Sequence, residues 1–549
     1  MIKKSIIFIS ASIVFFTITV KSQNTVGVIF NSVNTYVGYT LFTSHNETYL
    51  INNCGEVINQ WTSNYTPGNA VYLLENGNIL RAGNTNSADI VFGGQGGVIE
   101  IFNWEGNLLW QYFYDTPQYR QHHDVYPMPN GNILILAAKV MTNFEAILVG
   151  RNPDLLPQGV LYSEQIVEVE PIGFNQANIV WEWDIKNHLI QDFDATKNNF
   201  GNVSENKHKL DINFTNGLNG SSNWLHINSV QYNEELDQII LSSRNLSEIW
   251  IIDHSTTSSE AATSSGGIYG KGGDILYRWG NPQAYKQGSE SDRKLFGQHY
   301  PYWIGENLID EGKIILFNNG NGRDPQFSEV YIMTPPTSAP GFYTILPNET
   351  FGPVEPDYIY ADTVNVPSTF NSAILSSAQR LPNGNILICE GSSGTIFEID
   401  GNNNLVWEYI NPSNNITGII SSQGNNPSNN NQLFRATKYA SDYPAFEGRD
   451  LTPGNPIELN YELNEPCSVL SIDDYTLKNL KLSPNPTSNI VNVETTSVIT
   501  KIEVYNILGS KINTVENVNS LDLSNYERGM YLLKLFSNDA TITKRVIKN

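Results

Sequence analysis

Apolar and polar residues alternate with a period of two along most of the chain, in short runs that turns interrupt. Six runs share one pattern, with Glu, Ile, Val or Tyr at alternate positions: 48–51, 98–101, 166–169, 248–251, 329–332 and 395–399. A period of two predicts half-buried strands, and no long stretch shows the 3.6-residue period of an amphipathic helix. The pattern therefore predicts an all-β protein.

Turn signals place further strands around these six runs. Asn-Gly pairs at 76–77, 130–131 and 383–384 suit the positive φ of a tight hairpin turn, and each precedes an apolar strand. Most runs are followed by a turn and a Trp-bearing strand, whereas the fifth lacks a clear one and carries an insertion at roughly 334–371; the tryptophans are Trp61, Trp110, Trp183, Trp279 and Trp407. Because one such sheet cannot bury both faces alone, four strands in each of six units predict a six-bladed β-propeller.

The two ends of the chain differ from this repeat. Lys3 and Lys4 precede an apolar run over 5–20 with a cleavage site near Ser22, which predicts a signal peptide at 1–22; a membrane anchor is the alternative. We expect the propeller at 23–464, with a loose Asn- and Ser-rich end from about 411, and a linker at 465–474. Short alternating strands over 475–549 predict a small C-terminal β-sandwich.

Charge and cysteine content limit the partners. The net charge is −23, whereas residues 475–549 hold nine Lys or Arg and six Asp or Glu. An acidic surface argues against nucleic acid, and an anionic substrate would need a local group of cations. The three cysteines, Cys54, Cys389 and Cys467, are too far apart for a CxxC motif, which leaves one disulfide or simple burial open.

Three histidine motifs recur at one level of the repeat: Gln121-His122-His123-Asp124, Trp224-Leu225-His226 and Gly297-Gln298-His299-Tyr300. Counting back from the hairpin turns aligns His123 with Asn69 and Ser376, and His226 and His299 open the same strand in their own units. Innermost strands line the channel of a propeller, so these side chains should face one another. Arg244 ends the second strand of the third unit, although strand parity leaves its direction open.

Such a cluster suits either of two chemistries. Histidines, with Asp124 supplying an oxygen, are metal ligands, but an arginine at the same mouth repels a dication. With Arg244 the cluster suits an oxyanion, because a guanidinium offers forked donors and imidazoles transfer protons. Each histidine taken alone is more often a hydrogen-bonded structural residue.

Further motifs resemble a known family. They are His123-Asp124 followed by Pro-Asn-Gly-Asn, Trp224-Leu225-His226-Ile227-Asn228-Ser229, Leu241-Ser242-Ser243-Arg244, Arg278-Trp279-Gly280, Gln298-His299, Phe317-Asn318-Asn319-Gly320-Asn321 with Arg323, and Ser377-Ala378-Gln379-Arg380-Leu381-Pro382-Asn383-Gly384. In this order, over about 48–409, they resemble the PAPS-independent aryl-sulfate sulfotransferases.

That resemblance implies a ping-pong transfer of a sulfuryl group from a phenolic sulfate ester to a phenol, with neither a metal nor a cofactor. It implies His299 as the nucleophile, His226 and Arg244 as ligands of the sulfuryl oxygens, and His123 in charge or proton transfer, with His122 as the alternative to His123. The expected substrate-binding residues are Asn319, Arg323 and Tyr300.

The C-terminal region resembles a second family. Leu482-Ser483-Pro484-Asn485-Pro486, Val504-Tyr505-Asn506-Ile507-Leu508-Gly509, Arg528-Gly529-Met530-Tyr531-Leu532 and a Lys-rich end resemble the type IX secretion sorting domain. This implies passage by the type IX secretion machinery, then release or attachment at the cell surface; an adhesion or carbohydrate-binding module is the alternative.

Three functions for the whole protein follow, and the oligomeric state stays open. The first is the secreted sulfotransferase. The alternatives are a non-catalytic secreted propeller that binds a glycan or other surface ligand, and a metal-assisted hydrolase, which Arg244 disfavours.

Overall fold

The computed structural model describes residues 24–345, 349–362, 369–461, 463, 467, 480–495, 498–506, 510–516, 518–537 and 541–549. Its strands confirm the prediction of an all-β chain. The first fourteen are β1 Gly27–Asn31, β2 Gly38–Ser44, β3 Glu47–Ile51, β4 Val57–Thr62, β5 Thr66–Leu73, β6 Ile79–Asn84, β7 Gly97–Phe102, β8 Leu108–Phe113, β9 Tyr119–Pro127, β10 Ile133–Thr142, β11 Val160–Ile172, β12 Gln176–Asp184, β13 Leu189–Ile190 and β14 Leu210–Asp211.

The propeller continues through fifteen more strands. They are β15 Ile227–Asn233, β16 Gln238–Ser243, β17 Glu248–Asp253, β18 Tyr277–Trp279, β19 His299–Trp303, β20 Ile314–Asn318, β21 Glu329–Met333, β22 Thr337–Ala339, β23 Phe342–Tyr343, β24 Tyr358–Tyr360, β25 Ser377–Arg380, β26 Ile386–Glu390, β27 Thr395–Ile399, β28 Leu405–Ile410 and β29 Ala436–Ala440. In the described part of the propeller the α-helices are α1 Asn143–Leu148 and α2 Ser258–Ala261, and 3-10 turns lie at Pro153–Leu155, Ile185–Asn187, Val203–Glu205, Pro282–Tyr285, Glu290–Asp292 and Pro444–Phe446.

Six antiparallel sheets form the six predicted blades. From the innermost strand outwards they are β29-β2-β3-β4, β5-β6-β7-β8, β9-β10-β11-β12, β15-β16-β17-β18, β19-β20-β21-β24 and β25-β26-β27-β28, and β1 adds a fifth strand to the last. We number these sheets blades 1 to 6 in that order. The two-stranded pairs β13-β14 and β22-β23 lie in the insertions of blades 3 and 5.

The tryptophans of the outer strands explain how neighbouring blades dock. Each donates its indole N–H to a backbone carbonyl of the next blade: Trp61 to Asn103 at 2.8 Å, Trp110 to Gln176 at 2.9 Å, Trp183 to Gly273 at 2.7 Å, Trp279 to Pro353 at 2.8 Å and Trp407 to Asn53 at 2.8 Å. The last of these bonds runs from blade 6 back to blade 1 and so closes the ring. A buried Trp combines a large apolar surface with one donor that needs a partner, which suits it to this position.

The glutamates of the repeat mark buried ion pairs. In blades 2 to 6 one Glu of the third strand faces a cationic side chain: Glu100 with Arg81, Glu168 with His254, Glu248 with Arg278, Glu329 with Arg323 and Glu398 with Lys438. Burying a charge is costly unless it is paired, so each of these glutamates has a cation beside it, within its own blade for Glu100, Glu248 and Glu329 and from the next blade for Glu168 and Glu398.

The Asn- and Ser-rich stretch after 411 is more ordered than the sequence indicates. It contains β29, which pairs with β2 and is the innermost strand of blade 1. The chain thus closes the ring by placing its last propeller strand beside its first ones. This pairing spans about 400 residues of sequence, so no local pattern announces it.

The C-terminal unit has its own core, and the chain divides into compact units between Tyr461 and Glu462. Its strands are β30 Lys481–Ser483, β31 Ile490–Glu494, β32 Ile499–Tyr505, β33 Lys511–Glu516, β34 Ser520–Asp522, β35 Gly529–Ser537 and β36 Thr541–Lys548. The sheets β30-β31-β34 and β33-β32-β35-β36 enclose a buried cluster that includes Val491, Ile502 and Leu533, in agreement with the predicted sandwich.

Some predictions fall elsewhere. The signal peptide at 1–22, most of the linker at 465–474 and the Ile507-Leu508-Gly509 part of the tail motif lie outside the described residues. In the described part of the chain no helix is long and apolar enough to cross a membrane. Cys389 is a free thiol in the propeller core, and burial raises its pKa.

Candidate active site

The histidine cluster lies where the inner strands of the middle blades lose their regular register. In blades 2 to 5 the pairing between the first and second strands shifts at this level. Residues at this level adopt positive φ: Asn69 at 87°, His123 at 52°, His226 at 49°, Tyr300 at 52° and, in blade 6, Ser376 at 92°. Non-glycine residues rarely adopt this conformation, which costs about 1 kcal/mol or more at each position and is concentrated at functional sites.

His299 is oriented by Asn319. The Nδ1 of His299 lies 2.7 Å from the Oδ1 of Asn319, and the Asn319 amide donates to the carbonyls of Ser372 at 2.6 Å and Leu375 at 2.9 Å. Carbonyls only accept, so the amide nitrogen must face them and Oδ1 must face the imidazole. His299 therefore carries its proton on Nδ1 and a lone pair on Nε2.

Electrostatics keeps this imidazole neutral. His299 is only 2% exposed. Burial, together with the guanidinium of Arg244, lowers the pKa of His299 to about 3. A buried imidazole beside a cation loses more by being charged than one in water, so the nucleophilic form predominates at neutral pH.

Arg244 and His226 form a second pair of donors. The backbone N–H of Arg244 donates to the His226 carbonyl at 3.2 Å, and Asn223 Nδ2 lies 2.5 Å from His226 Nδ1. In that arrangement Nδ1 accepts and the proton is on Nε2. Burial and Arg244 lower the pKa of His226 well below its ordinary value. Among the described residues, no carboxylate lies within ion-pair distance of Arg244.

His123 begins a chain of three side chains. Its Nδ1 lies 2.8 Å from Nδ1 of His122, and Nε2 of His122 lies 2.7 Å from Oε2 of Glu164. Burial and the nearby His226 lower the pKa of His123 well below its ordinary value. The rings of His123 and His226 are 4.7 Å apart, so blades 3 and 4 contribute to one cluster.

A glycine-rich loop between β6 and β7 covers these rings. Phe92 packs against both His122 and His226, with ring centroids at 4.9 and 5.9 Å. Gly94, at φ 83°, accepts a hydrogen bond from the His123 N–H at 2.7 Å. A Cβ at Gly94 would lie 2.1 Å from His123 Nε2, so a glycine here keeps the space beside that nitrogen free.

Behind the histidines, a polar network crosses the channel axis. Arg435, from the segment before β29, pairs with Asp124 through Nη2 and Oδ2 at 2.9 Å and lies 3.6 Å from the Tyr300 ring centroid. Burial alone would lower the pKa of Arg435, but the Asp124 carboxylate raises it above its ordinary value. Tyr72 donates to Asp124 at 3.0 Å, and Gln231 donates to Tyr72 at 2.8 Å.

The structure thus brings four of the predicted residues together: His123, His226, His299 and Arg244. Asn319 holds His299. Tyr300 and Arg323 do not reach the cluster with their polar groups, since Tyr300 stacks under Arg435 and Arg323 binds Glu329 through Nη1 at 2.5 Å and the Phe327 carbonyl at 2.6 Å. Asp124 is engaged with Arg435. In the described ranges, no three His, Cys, Asp or Glu side chains are arranged to hold a metal ion.

Sequence reasoning missed Arg435, Glu164, Phe92 and Gly94. Arg435 lies in a stretch that carries no repeat signal. Glu164 precedes a predicted strand, but nothing local connects it with His122, which is 42 residues away. The Phe92-Gly93-Gly94-Gln95-Gly96-Gly97 run is the one signal that was present, because clustered glycines mark close backbone approach.

Comparisons with known structures return distant matches. A protein of unknown function from Bacteroides caccae is 10% identical over 73% of this chain and 98% of its own, with a TM-score of 0.38. A catalytically inactive virginiamycin B lyase from Staphylococcus aureus with quinupristin is 11% identical over 69% and 86%, with a TM-score of 0.31. A putative 6-phosphogluconolactonase from Bacteroides fragilis is 9% identical over 74% and 99%, with a TM-score of 0.31. Scores this low carry no argument about function, and no curated protein sequence matches the chain.

Family models are more informative. The model of a secretion system C-terminal sorting domain matches residues 481–549, which contain the strands of the sandwich unit. This match indicates export by the type IX secretion system, to the cell surface or the medium. The arylsulfotransferase (ASST) model matches residues 19–443, and this stretch contains all six blades and the whole histidine cluster. The chain therefore belongs to the arylsulfotransferase family.

Proposed function

We propose that this protein transfers a sulfuryl group from an aryl sulfate ester to a phenol through a sulfohistidine on His299, independently of PAPS. The observation that carries the proposal is the 2.7 Å hydrogen bond between His299 Nδ1 and Asn319 Oδ1. It leaves the Nε2 lone pair on a buried, neutral imidazole. A neutral imidazole is a nucleophile, and a fixed tautomer directs which nitrogen reacts.

Arg244 supports the choice of an oxyanion as the group transferred. Four other buried or half-buried guanidinium groups in the described propeller, those of Arg81, Arg278, Arg323 and Arg435, pair with carboxylates, and that of Arg151 donates to backbone carbonyls. A guanidinium that the protein leaves without a carboxylate, in a chain of net charge −23, suits a sulfate ester as its counterion.

In the first half-reaction, Nε2 of His299 attacks sulfur while the bond between sulfur and the aryl oxygen breaks. The electron pair leaves with the phenolate, and His123 supplies the proton that makes it a phenol. Arg244 and the Nε2–H of His226 stabilise negative charge on the sulfuryl oxygens. Preorganised donors of this kind supply much of the rate enhancement in dry sites.

In the second half-reaction, a phenol binds in place of the first product. His123 accepts its proton as the phenolic oxygen attacks sulfur, and the bond between nitrogen and sulfur breaks. The lone pair returns to Nε2 of His299. Neither half-reaction, as we propose it, uses a metal or an organic cofactor.

We propose supporting roles for the three residues expected to bind substrate. The contacts of Asn319 favour positioning of His299. Tyr300 supports Arg435 beneath the cluster, and Arg323, held by Glu329, shapes the wall formed by the loop after β20.

The test uses 4-nitrophenyl sulfate as donor, with and without phenol, and with no PAPS. We expect release of 4-nitrophenol that depends on phenol, formation of phenyl sulfate, and one ³⁵S label per chain on His299 when the acceptor is omitted. His299→Ala should take up no label. Acceptor-independent release that a chelator abolishes would instead support a hydrolase, and no release from folded protein would support a binding propeller.

We also propose that residues 1–22 are a cleaved signal peptide and that the C-terminal unit engages the type IX secretion machinery before release or surface attachment. Mass spectrometry of the exported protein should find an N-terminus at residue 23. Retention of 1–22 on surface protein would show a membrane anchor instead.

A further inference from the structure

His122 has two partners and no access to substrate. Its ring is completely buried, with Nδ1 on His123 and Nε2 on Glu164. Glu164 is 1% exposed and also accepts the backbone N–H of Ile227 at 3.2 Å. The reacting cluster is therefore connected through His123 and His122 to one buried carboxylate.

The backbone explains why two adjacent histidines can touch. Successive side chains of a regular strand point to opposite faces, which would separate His122 from His123. The positive φ of His123, at the register shift of β9, breaks this alternation and brings the two Nδ1 atoms to 2.8 Å. The strained backbone of His123 therefore produces the contact between the His122 and His123 rings.

We propose that His122 and Glu164 are positioning residues that hold the proton which His123 exchanges with the two phenols. The inference rests on the proposed function, because it says where the protein holds the proton that the first half-reaction uses and the second half-reaction returns. Transfer from one phenol to another consumes no proton overall. The first half-reaction nevertheless takes one from the protein, and the second returns it.

The proton balance is as follows in each state. Before the first half-reaction, His122 is an imidazolium against Glu164, and His123 carries its proton on Nε2. As Nε2 of His123 protonates the departing phenolate, Nδ1 of His122 passes its proton to Nδ1 of His123. Both rings are then neutral, with His122 still donating from Nε2 to Glu164. The acceptor phenol reverses every step.

Charge distribution favours His122 as the storage site. His123, His226 and His299 face one another and Arg244, and their pKa values are lowered. The other carboxylate near the axis, Asp124, is paired with Arg435. Glu164 is thus the carboxylate in direct contact with a histidine of the cluster, and a negative charge at 2.7 Å stabilises an imidazolium.

Glu164→Gln distinguishes a role in holding the proton on His122 from a purely structural role, because glutamine keeps the shape of the side chain and removes its charge. Strand β11 supplies a matched control, Glu168→Gln. The Glu168 carboxylate lies 2.9 Å from Nε2 of His254, outside the histidine cluster. Single-turnover phenol release is measured with two donors. Phenyl sulfate has a basic leaving group that needs a proton, whereas 4-nitrophenolate leaves without one.

We expect Glu164→Gln to slow release from phenyl sulfate roughly 100-fold and release from 4-nitrophenyl sulfate less than about fivefold, as general acid catalysis requires. Glu168→Gln should leave the ratio of the two rates unchanged. Equal losses with both donors, or no loss with phenyl sulfate, would overturn the proton store while leaving the proposed function intact. If wild-type protein transfers no sulfuryl group from either donor, the proposed function fails and the store with it.

A second measurement does not depend on turnover. In wild-type protein labelled with ¹⁵N-histidine, we expect the His122 ring, assigned with His122→Gln, to be doubly protonated at neutral pH in the resting state. In Glu164→Gln it should be neutral. A neutral His122 in the resting wild-type protein would contradict the proposal.

Discussion

His254 and His299 are the same side chain in two opposite settings. His254 lies between blades 3 and 4, with Nε2 at 2.9 Å from Glu168 and Nδ1 at 2.6 Å from Asp237. His299 lies at the channel, with Nδ1 on the neutral amide oxygen of Asn319 and Arg244 nearby. Burial lowers the pKa of His254, but its two carboxylates more than offset this and raise it to about 9, whereas the pKa of His299 falls to about 3.

The difference shows how this fold divides its charges. Away from the axis, several buried cations are matched with carboxylates, among them Arg81 with Glu100, Arg278 with Glu248 and Lys438 with Glu398. At the axis, an amide replaces the carboxylate beside His299, and Arg244 lacks an acidic partner in the described part of the chain. Matched charge serves structure, and unmatched charge attracts an anion.

The largest effect is expected from replacing each of the two histidines, His299 and His254, by alanine. His299→Ala should lower kcat roughly 10⁴-fold or more in protein that remains folded, because it removes the nucleophile. His254→Ala should leave kcat unchanged but destabilise the protein by about 3 kcal/mol, because two carboxylates lose their cation. Turnover of 4-nitrophenyl sulfate with phenol and urea unfolding check both. A loss of kcat without a loss of stability in His254→Ala would break the comparison.

Two arginines provide the next test. Arg244→Gln should reduce kcat/KM between about 10²- and 10³-fold, the usual result of removing an oxyanion donor, with little effect on stability. Arg278→Gln in the same blade leaves Glu248 buried without its partner and should destabilise the fold by about 3 kcal/mol at unchanged kcat in the folded fraction. If Arg244→Gln lowers stability more than activity, its role is structural.

The pH dependence of stability sharpens the contrast. Native His254 keeps its proton up to about pH 9 while the unfolded chain releases it near 6.5, so its contribution is complete below 6.5 and is lost as the pH rises through 9. Native His299 stays neutral down to about pH 3, so the unfolded chain alone gains a proton below 6.5 and stability falls with falling pH.

Comparing urea unfolding of wild type with His254→Gln should show an alkaline decline on the order of 2 kcal/mol that only the wild type has. His299→Gln should lessen the acid decline and leave the alkaline one. Parallel curves for wild type and His254→Gln would mean that His254 is not charged in the native protein.

The smallest effect concerns two glycines with nearly the same backbone. Gly94 at φ 83° lies against His123, whereas Gly106 at φ 82° has no neighbour within 4 Å of an added Cβ. Gly106→Ala should lose about 1 kcal/mol of stability and Gly94→Ala more, and only Gly94→Ala should lower kcat, by about tenfold, because its Cβ displaces His123. Equal kcat in the two variants would show that the loop does not position the cluster.

Several features were predictable because they are local. The Asn-Gly turns, the Trp strands and the period-two runs identified six blades, counting from the turns aligned His123 with Asn69 and Ser376, and the opening of the same strand placed His226 at that level. His299 was placed there on the same ground as His226, yet in the structure the positive φ belongs to its neighbour Tyr300. A bulge shifts side-chain parity by one residue, and single-sequence patterns do not reveal bulges.

Partner choice was not predictable. Arg323 and Tyr300 lie within or beside family motifs, yet their polar and aromatic groups contact Glu329 and Arg435. Asp124 follows His123 directly, and its charge is matched by Arg435, 311 residues away.

The sequence by itself determined the repeat, the number of blades, the histidine level and the acidic balance, because periodicity and turn chemistry act over a few residues. Only the tertiary structure decided which charges are matched. Ring closure brings Arg435 to Asp124, the strained backbone of β9 brings His122 to His123, and the Asn319 amide fixes the tautomer of His299. Such contacts depend on distances of about 3 Å between residues far apart in the chain, and hydrogen bonding is too short-ranged for a linear pattern to encode it.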